Sequence, residues 1–312
     1  MTEGFGTLFE KRRSGRIVPW LIILTMGTSW GLAFSLAKIA FQAGGLPIGV
    51  AFWHLLIATI LVFCLTNLLR DPVPFTPHHL RNYLLVSILA TSIPATCFMF
   101  AAGQVPAGII AITIAIVPML TYAFMVILSK EKVSLVRMSG IACGAVAILL
   151  IVVPETSLPS REAIPWILVA CIGPLCHALN NINLTRPAVS KISPLHLIFG
   201  GNLLGAAILA PIAIATDQMF MPSIPFGRLE WAIMGIAVIN SMTYAVFIMV
   251  IKQAGPVFAS QTGYLVTICG VFWGMYLFDE AHSSWVWAAL ITMIIGVSLV
   301  SPRRAKPRPA DG

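Results

Sequence analysis

Apolar residues run through this chain in ten long stretches separated by short polar turns, at residues 19–41, 47–69, 82–102, 106–128, 133–153, 164–184, 194–216, 231–251, 257–278 and 284–301. A helix rising 1.5 Å per residue needs about 20 such residues to cross a hydrocarbon layer roughly 30 Å thick. The pattern predicts an all-α polytopic membrane protein with ten transmembrane helices. All eleven acidic residues fall outside the runs, as the cost of charge in hydrocarbon demands. The polar connections, including RDPVPFTPHHLR (70–81) and PETSLPSREAIP (154–165), are too short to fold alone, so no separate soluble domain is expected.

Composition agrees: 58% of residues are hydrophobic and 10% charged, against about 25% charged in a soluble domain. The first run is longer than the core of a signal peptide and joins directly to more membrane, which predicts a retained helix. The net charge of +8 is scattered over short turns rather than gathered on one face, which argues against a nucleic-acid partner. Cys64, Cys97, Cys143, Cys171, Cys176 and Cys269 all lie within runs and form no CxxC pair, so they read as packing residues rather than disulfides or zinc ligands. No phosphate-binding loop, HExxH or GxSxG motif occurs, and neither a cofactor nor an enzyme activity is expected.

Charge is unevenly shared between the two faces. With the amino terminus placed inside, sixteen of the nineteen Lys and Arg residues lie on the inner side; Arg161 and Arg228 lie outside, and Lys38 sits within the first run. This asymmetry predicts a cytoplasmic (inner) membrane protein with both termini cytoplasmic. The chain also repeats. At an offset of 147, Pro47, Phe52, Leu56, Arg81, Ala90, Thr96 and Phe100 meet Pro194, Phe199, Leu203, Arg228, Ala237, Thr243 and Phe247. At 149, Gln104, Thr113, Val117, Leu128, Glu131 and Ser134 meet Gln253, Thr262, Val266, Leu277, Glu280 and Ser283. The expected organisation is a basic tail (1–18), a first five-helix copy (19–153), a periplasmic linker (154–163), a second copy (164–301) and a basic tail (302–312).

One repeated turn shows what the repeat means. SKEKVSLVR (129–137) and FDEAHSSWV (278–286) keep a glutamate and a serine, yet Lys130, Lys132 and Arg137 become Asp279, Ala281 and Val286. Five helices per copy is an odd number, so the second copy enters the membrane from the opposite side. Positive charge belongs only on the inner turn. An inverted repeat of this kind predicts two halves that expose a central site alternately to either face, the logic of a transporter.

The stretches SWGLAFSLAK (29–38), VPAGIIAITIAIVPMLTYAF (105–124), SKEKVSLVRMSGIACGAVAILL (129–150) and FDEAHSSWVWAALITMIIGVSLV (278–300) resemble the drug/metabolite transporter superfamily, within its EamA group of ten-helix permeases. The resemblance implies a central cavity lined by helices 1, 3, 4, 6, 8 and 9. It also implies transport of small metabolites, often amino acids and often outward. Where that family's second helix often carries an arginine, this chain has His54.

Candidate residues for a central site follow from polar positions inside the runs. Trp30, Phe34 and Lys38 share one face of the first helix, where the Lys38 ammonium either attracts a substrate anion or snorkels to the interface. His177, Asn180 and Asn181 form the densest polar cluster, which fits either a ligand or interhelical hydrogen bonds. Asn240, Tyr244, Gln261 and Tyr264 offer polar tips on helices 8 and 9, and Thr113 lies near Pro118, a kink site, on helix 4. Arg186, at the inner end of helix 6, occupies a place similar to that of Lys38. With no acidic residue in any run, His54 and His177 are the intramembrane candidates for a proton or polar relay, alongside a displaced helix-end carboxylate or the substrate itself. The expected partners are a small-molecule substrate and the lipid bilayer, in a monomer or homodimer. A lipid translocase or a membrane-embedded sensor without net flux shares these features.

Overall fold

The computed structural model describes residues 17–154, 160–254 and 261–300. It is all-helical among these residues: α1 (Ile17–Gln42), α2 (Pro47–Leu68), α3 (Pro77–Val86), a π-helical turn (Ser87–Ser92), α4 (Ile93–Ala102), α5 (Ala107–Ile114), α6 (Val117–Ile127), α7 (Leu135–Val152), α8 (Ile164–Leu184), the single turn α9 (Pro187–Ser190), α10 (Pro194–Ala215), α11 (Arg228–Ala254), α12 (Gln261–Phe278) and α13 (Ser284–Val300). Eight spans are apolar and long enough to cross a membrane, and Thr262–Phe278 and Ser284–Val300 are shorter apolar helices. Large apolar side chains such as Phe63, Leu149, Leu168, Phe272 and Ile291 remain exposed, as a lipid-facing surface requires.

Helix boundaries follow local chemistry. Pro47, Pro77, Pro187 and Pro194 open helices at the first turn, where a missing N–H costs nothing. In the third and fourth spans proline coincides with a break in the regular ladder, whereas α8 and α10 run on through Pro174 and Pro211. The third span passes through its π-helical turn immediately before Ile93–Pro94. The fourth divides into α5 and α6, because Pro118 cannot donate to the carbonyl of Ile114 and the residues between them tighten to Ala115 N–H→Ile112 O (3.2 Å) and Ile116 N–H→Thr113 O (3.1 Å). Arg70 and Asp217, 147 positions apart, both take left-handed conformations after the second and seventh spans. Each is followed by the same six-residue closing bond, Asp71 N–H→Thr66 O and Gln218 N–H→Ala213 O.

The starting point of α11 corrects one expectation. This helix begins three residues earlier than its apolar run, so Glu230 lies in its first turn rather than beyond it. Its carboxylate accepts from Ser223 N–H, Ser223 Oγ and Gly227 N–H, each at 2.8 Å, tying the preceding loop to the helix start.

Among the extensive helix contacts are those of α2 on α10, α7 on α13, and α5 on α12. Gly140 and Gly144 on α7, and Gly201 and Gly205 on α10, are spaced to let helices approach closely, and they serve internal packing. A side chain at Gly140 would stand 2.6 Å from Gly296 O on α13, and one at Gly201 would stand 2.8 Å from Val86 on α3. The fourth span is shared unevenly, since α5 packs on α12, α8 and α1 whereas α6 packs on α8, α7 and α13.

Candidate functional site

Two neighbouring aromatic groups sit among α1, α4, α8 and α11. In one, the Trp30 ring lies 6.5 Å from Tyr244 and 5.5 Å from Phe247, while Tyr244 and Phe247 stack at 6.3 Å. Asn180 Nδ2 donates to the Tyr244 hydroxyl at 2.7 Å, and its buried Oδ1 has no partner among the described residues. In the other, Phe34 meets Phe98 edge-on at 5.4 Å and Phe98 stacks on His177 at 6.3 Å. Gly173 on α8 makes the seat for Phe98, since any Cβ there would overlap the ring. Five of the sequence candidates thus converge: Trp30, Phe34, His177, Asn180 and Tyr244. Phe98 and Phe247 join them although the sequence did not single them out.

The other candidates lie elsewhere. Thr113 is fully buried and donates its hydroxyl to Ile110 O of its own helix at 2.7 Å. His54 is buried on α2, with Nδ1 3.3 Å from Val50 O one turn back. Asn181 and Asn240 are half-buried. Tyr264 lines a cavity of about 480 Å³ with Trp20, Leu24, Leu265 and Ser298, between one end of α1 and the facing parts of α12 and α13. The side chain of Gln261 lies outside the described residues.

Lys38 acquires a partner that neither sequence reading names. Its Nζ lies 2.6 Å from Glu280 Oε1, in the turn after α12, and 4.5 Å over the Phe278 ring. The same carboxylate accepts from the first amides of α5: Ala107 N–H at 2.8 Å and Gly108 N–H at 3.2 Å. A cation and a helix N-terminus both favour the ionised acid, so one side chain ties α1, α5 and α12 together. With only 6% of the Glu280 side chain exposed, this network is largely withdrawn from water. His282 Nε2 approaches Glu280 Oε2 at 3.6 Å, and burial pushes the ring's pKa down against the raising pull of Glu280, with Lys38 adding to the lowering. Gly274 and Gly108 leave room for the network: a Cβ on the first would overlap Glu280 Oε2, and one on the second would stand 2.9 Å from His282 Nε2.

The repeat-related turn at the far end of the fourth span is built differently. Glu131 is 42% exposed and accepts from Arg137 Nη1 at 3.0 Å, six residues on in the first turn of α7. Tyr122 holds that turn by donating to Lys132 O at 3.1 Å and accepting from Ser134 N–H at 2.9 Å. Among the described residues, no group of three or more His, Cys, Asp or Glu could hold a metal ion.

Comparison with solved structures finds a similar fold. A chain described only as "Crystal structure of protein" aligns with a TM-score of 0.61 at 16% identity, over 89% of this chain and 97% of its own. No curated protein matches the sequence. The EamA-like transporter family matches twice, over residues 18–153 and 164–301. The chain is a polytopic membrane protein that belongs to the EamA-like transporter family.

Proposed function

We propose that the chain is a secondary transporter that carries a small polar or amphipathic metabolite, an amino acid or related compound, across the cytoplasmic membrane by alternating access. In this reading its ten helices form two inverted five-helix copies with both termini cytoplasmic, and Lys38 and Glu280 lie at the periplasmic end. The observation that carries the reading is the unequal treatment of the two ends. Glu280 gathers α1, α5 and α12 at one of them, whereas an open-sided cavity lies between α1, α12 and α13 at the other. A closed outer end and a parted inner end describe one stage of an alternating-access cycle. The aromatic groups around Trp30, His177, Asn180 and Tyr244 occupy the middle, where a substrate would be handed from one side to the other.

The test is flux. Purified protein in sealed vesicles should move some labelled metabolites and not others, with saturation, and should accelerate exchange when the same solute is present on both sides. Binding without flux across a broad metabolite panel would favour a sensor. The apolar lining of the open-sided cavity, Trp20, Leu24, Tyr264 and Leu265, specifically favours a second reading, translocation of a lipid. Redistribution of headgroup-labelled lipid in the same vesicles would select it.

A further inference from the structure

The closed end is held by a carboxylate that has a twin. Glu131 stands 149 positions before Glu280, in the turn after the repeat-related span, yet it is satisfied only locally by Arg137. Lys38 also has a counterpart in place and charge. Lys38 precedes the helix-opening Pro47 by nine residues, and Arg186 precedes the helix-opening Pro194 by eight. Arg186 is half-buried, and its Nη1 donates to Asn183 Oδ1 at 3.2 Å, again a local contact. The Nδ2 of Asn183 is buried without a partner among the described residues.

We propose that Glu131 and Arg186 form a reciprocal latch, absent from the present state and made when the Lys38–Glu280 latch opens. The proposal rests on the alternating-access reading above. The geometry favours it because α6, which leads to Glu131, already packs on α8, which leads to Arg186. The bond to be exchanged is an exposed ion pair, which water and salt weaken, so releasing Arg137 is easy. Arg186 offers a planar, permanently charged fork suited to a carboxylate. Lys130, Lys132, Arg137 and Lys191 are the neighbouring cations by sequence, and Lys130 and Lys132 share the turn of Glu131. Closure must therefore select Arg186 by position rather than by charge alone. Glu131 and Arg186 are thus positioning residues for transport and not contacts to the substrate.

The experiment uses the full chain in vesicles, with the six native cysteines replaced. Spin labels at Ser129 and Ser190 report the Glu131 end, and labels at Ala43 and Ala281 report the Glu280 end; all four positions are exposed. Glu280→Gln should lengthen the Ala43–Ala281 distance and create a short Ser129–Ser190 population. Adding Glu131→Gln, or separately Arg186→Gln, should reduce that population several-fold. The exchanged pair Glu131→Arg with Arg186→Glu should restore it where Glu131→Arg alone does not. If the Ala43–Ala281 distance lengthens but no short population forms, or if one forms and Glu131→Gln leaves it intact, the latch proposal falls while alternating access stands. If neither distance responds, both fall. The exchanged pair keeps the test decisive should a neutral variant fold poorly.

Discussion

Replacing Lys38 by glutamine separates two roles for this residue. The substitution removes an ammonium 2.6 Å from Glu280 Oε1, in a pair whose side chains are 19% and 6% exposed. Glu280 keeps its bonds to Ala107 and Gly108, so its charge is not stranded, and the loss is one charge-assisted hydrogen bond. Such a bond contributes about 1.5–3 kcal/mol where buried, and partial exposure of Lys38 argues for the lower half of that range. A loss of about 2 kcal/mol corresponds to a roughly 30-fold shift between closed and open forms of this end. Lys38→Gln should therefore lower thermal stability in detergent, lengthen the Ala43–Ala281 distance, and alter kcat and KM together in vesicle uptake. A pure substrate-attracting role would raise KM alone, with stability and distance unchanged. Exchanging the charges, Lys38→Glu with Glu280→Lys, should fail to rescue, because the lysine would face the Ala107 and Gly108 amides at the positive end of α5. Normal stability and an unmoved distance in Lys38→Gln, or full rescue by the exchange, would refute the reasoning.

Cysteines placed at Ser129 and Ala281 should react with a membrane-impermeant thiol reagent from opposite sides of intact vesicles; equal reaction of both from one side would end the inverted-repeat reading. His282 has a pKa lowered mainly by burial, so its neutral form belongs to the folded state. Its contribution to stability should be complete above about pH 6.5 and be lost as pH falls through the lowered value, and His282→Asn should flatten that part of a melting-temperature profile. Gly173→Ala forces a Cβ into the Phe98 ring and should destabilise the protein by about 1–3 kcal/mol in reversible denaturation, as overpacking does elsewhere. Tyr244→Phe removes the acceptor for Asn180 Nδ2 and should cost about 1–3 kcal/mol, whereas a pairing of no consequence would leave melting unchanged.

Eight spans were legible because run length and the exclusion of charge are direct consequences of the bilayer, and the last two expected spans are shorter apolar helices among the described residues. Their polar residues were legible as residues but not as directions. Thr113 reads as a cavity group and His54 as a relay in a string of apolar letters, and both lie against carbonyls of their own helices. Phe98 and Phe247 gave no signal, since an aromatic residue in an apolar run has no contrast with its surroundings. Lys38 and Glu280 were each visible, and the repeated glutamate was the feature that exposed the repeat. Their bond was not, because 242 positions separate them and only the packing of α12 against α1 brings them together. The early start of α11 was hidden for a simpler reason: an acid in a first helical turn is stabilised there and need not mark the helix boundary.

The third and fourth spans are interrupted where the stretches they match in sequence are not. Pro94 and Pro118 correspond, at offsets of 147 and 149, to Ser241 and Thr267. Both of the latter residues lie inside uninterrupted helices, α11 and α12. Thr267 even donates its hydroxyl to Gly263 O at 2.9 Å, within the turn whose counterpart is broken in the first copy. The third and fourth spans are therefore jointed where α11 and α12 run on, while α8 and α10 carry internal prolines of their own, Pro174 and Pro211. Glu280 is bonded to the start of α5, whose ladder is interrupted at Ala115–Ile116, a place where the fourth span can bend, while α12 is continuous. On the proposed alternating-access reading, the broken fourth span and the continuous α12 bend differently, so the two strokes of the proposed cycle are not mirror images in the distance each helix travels.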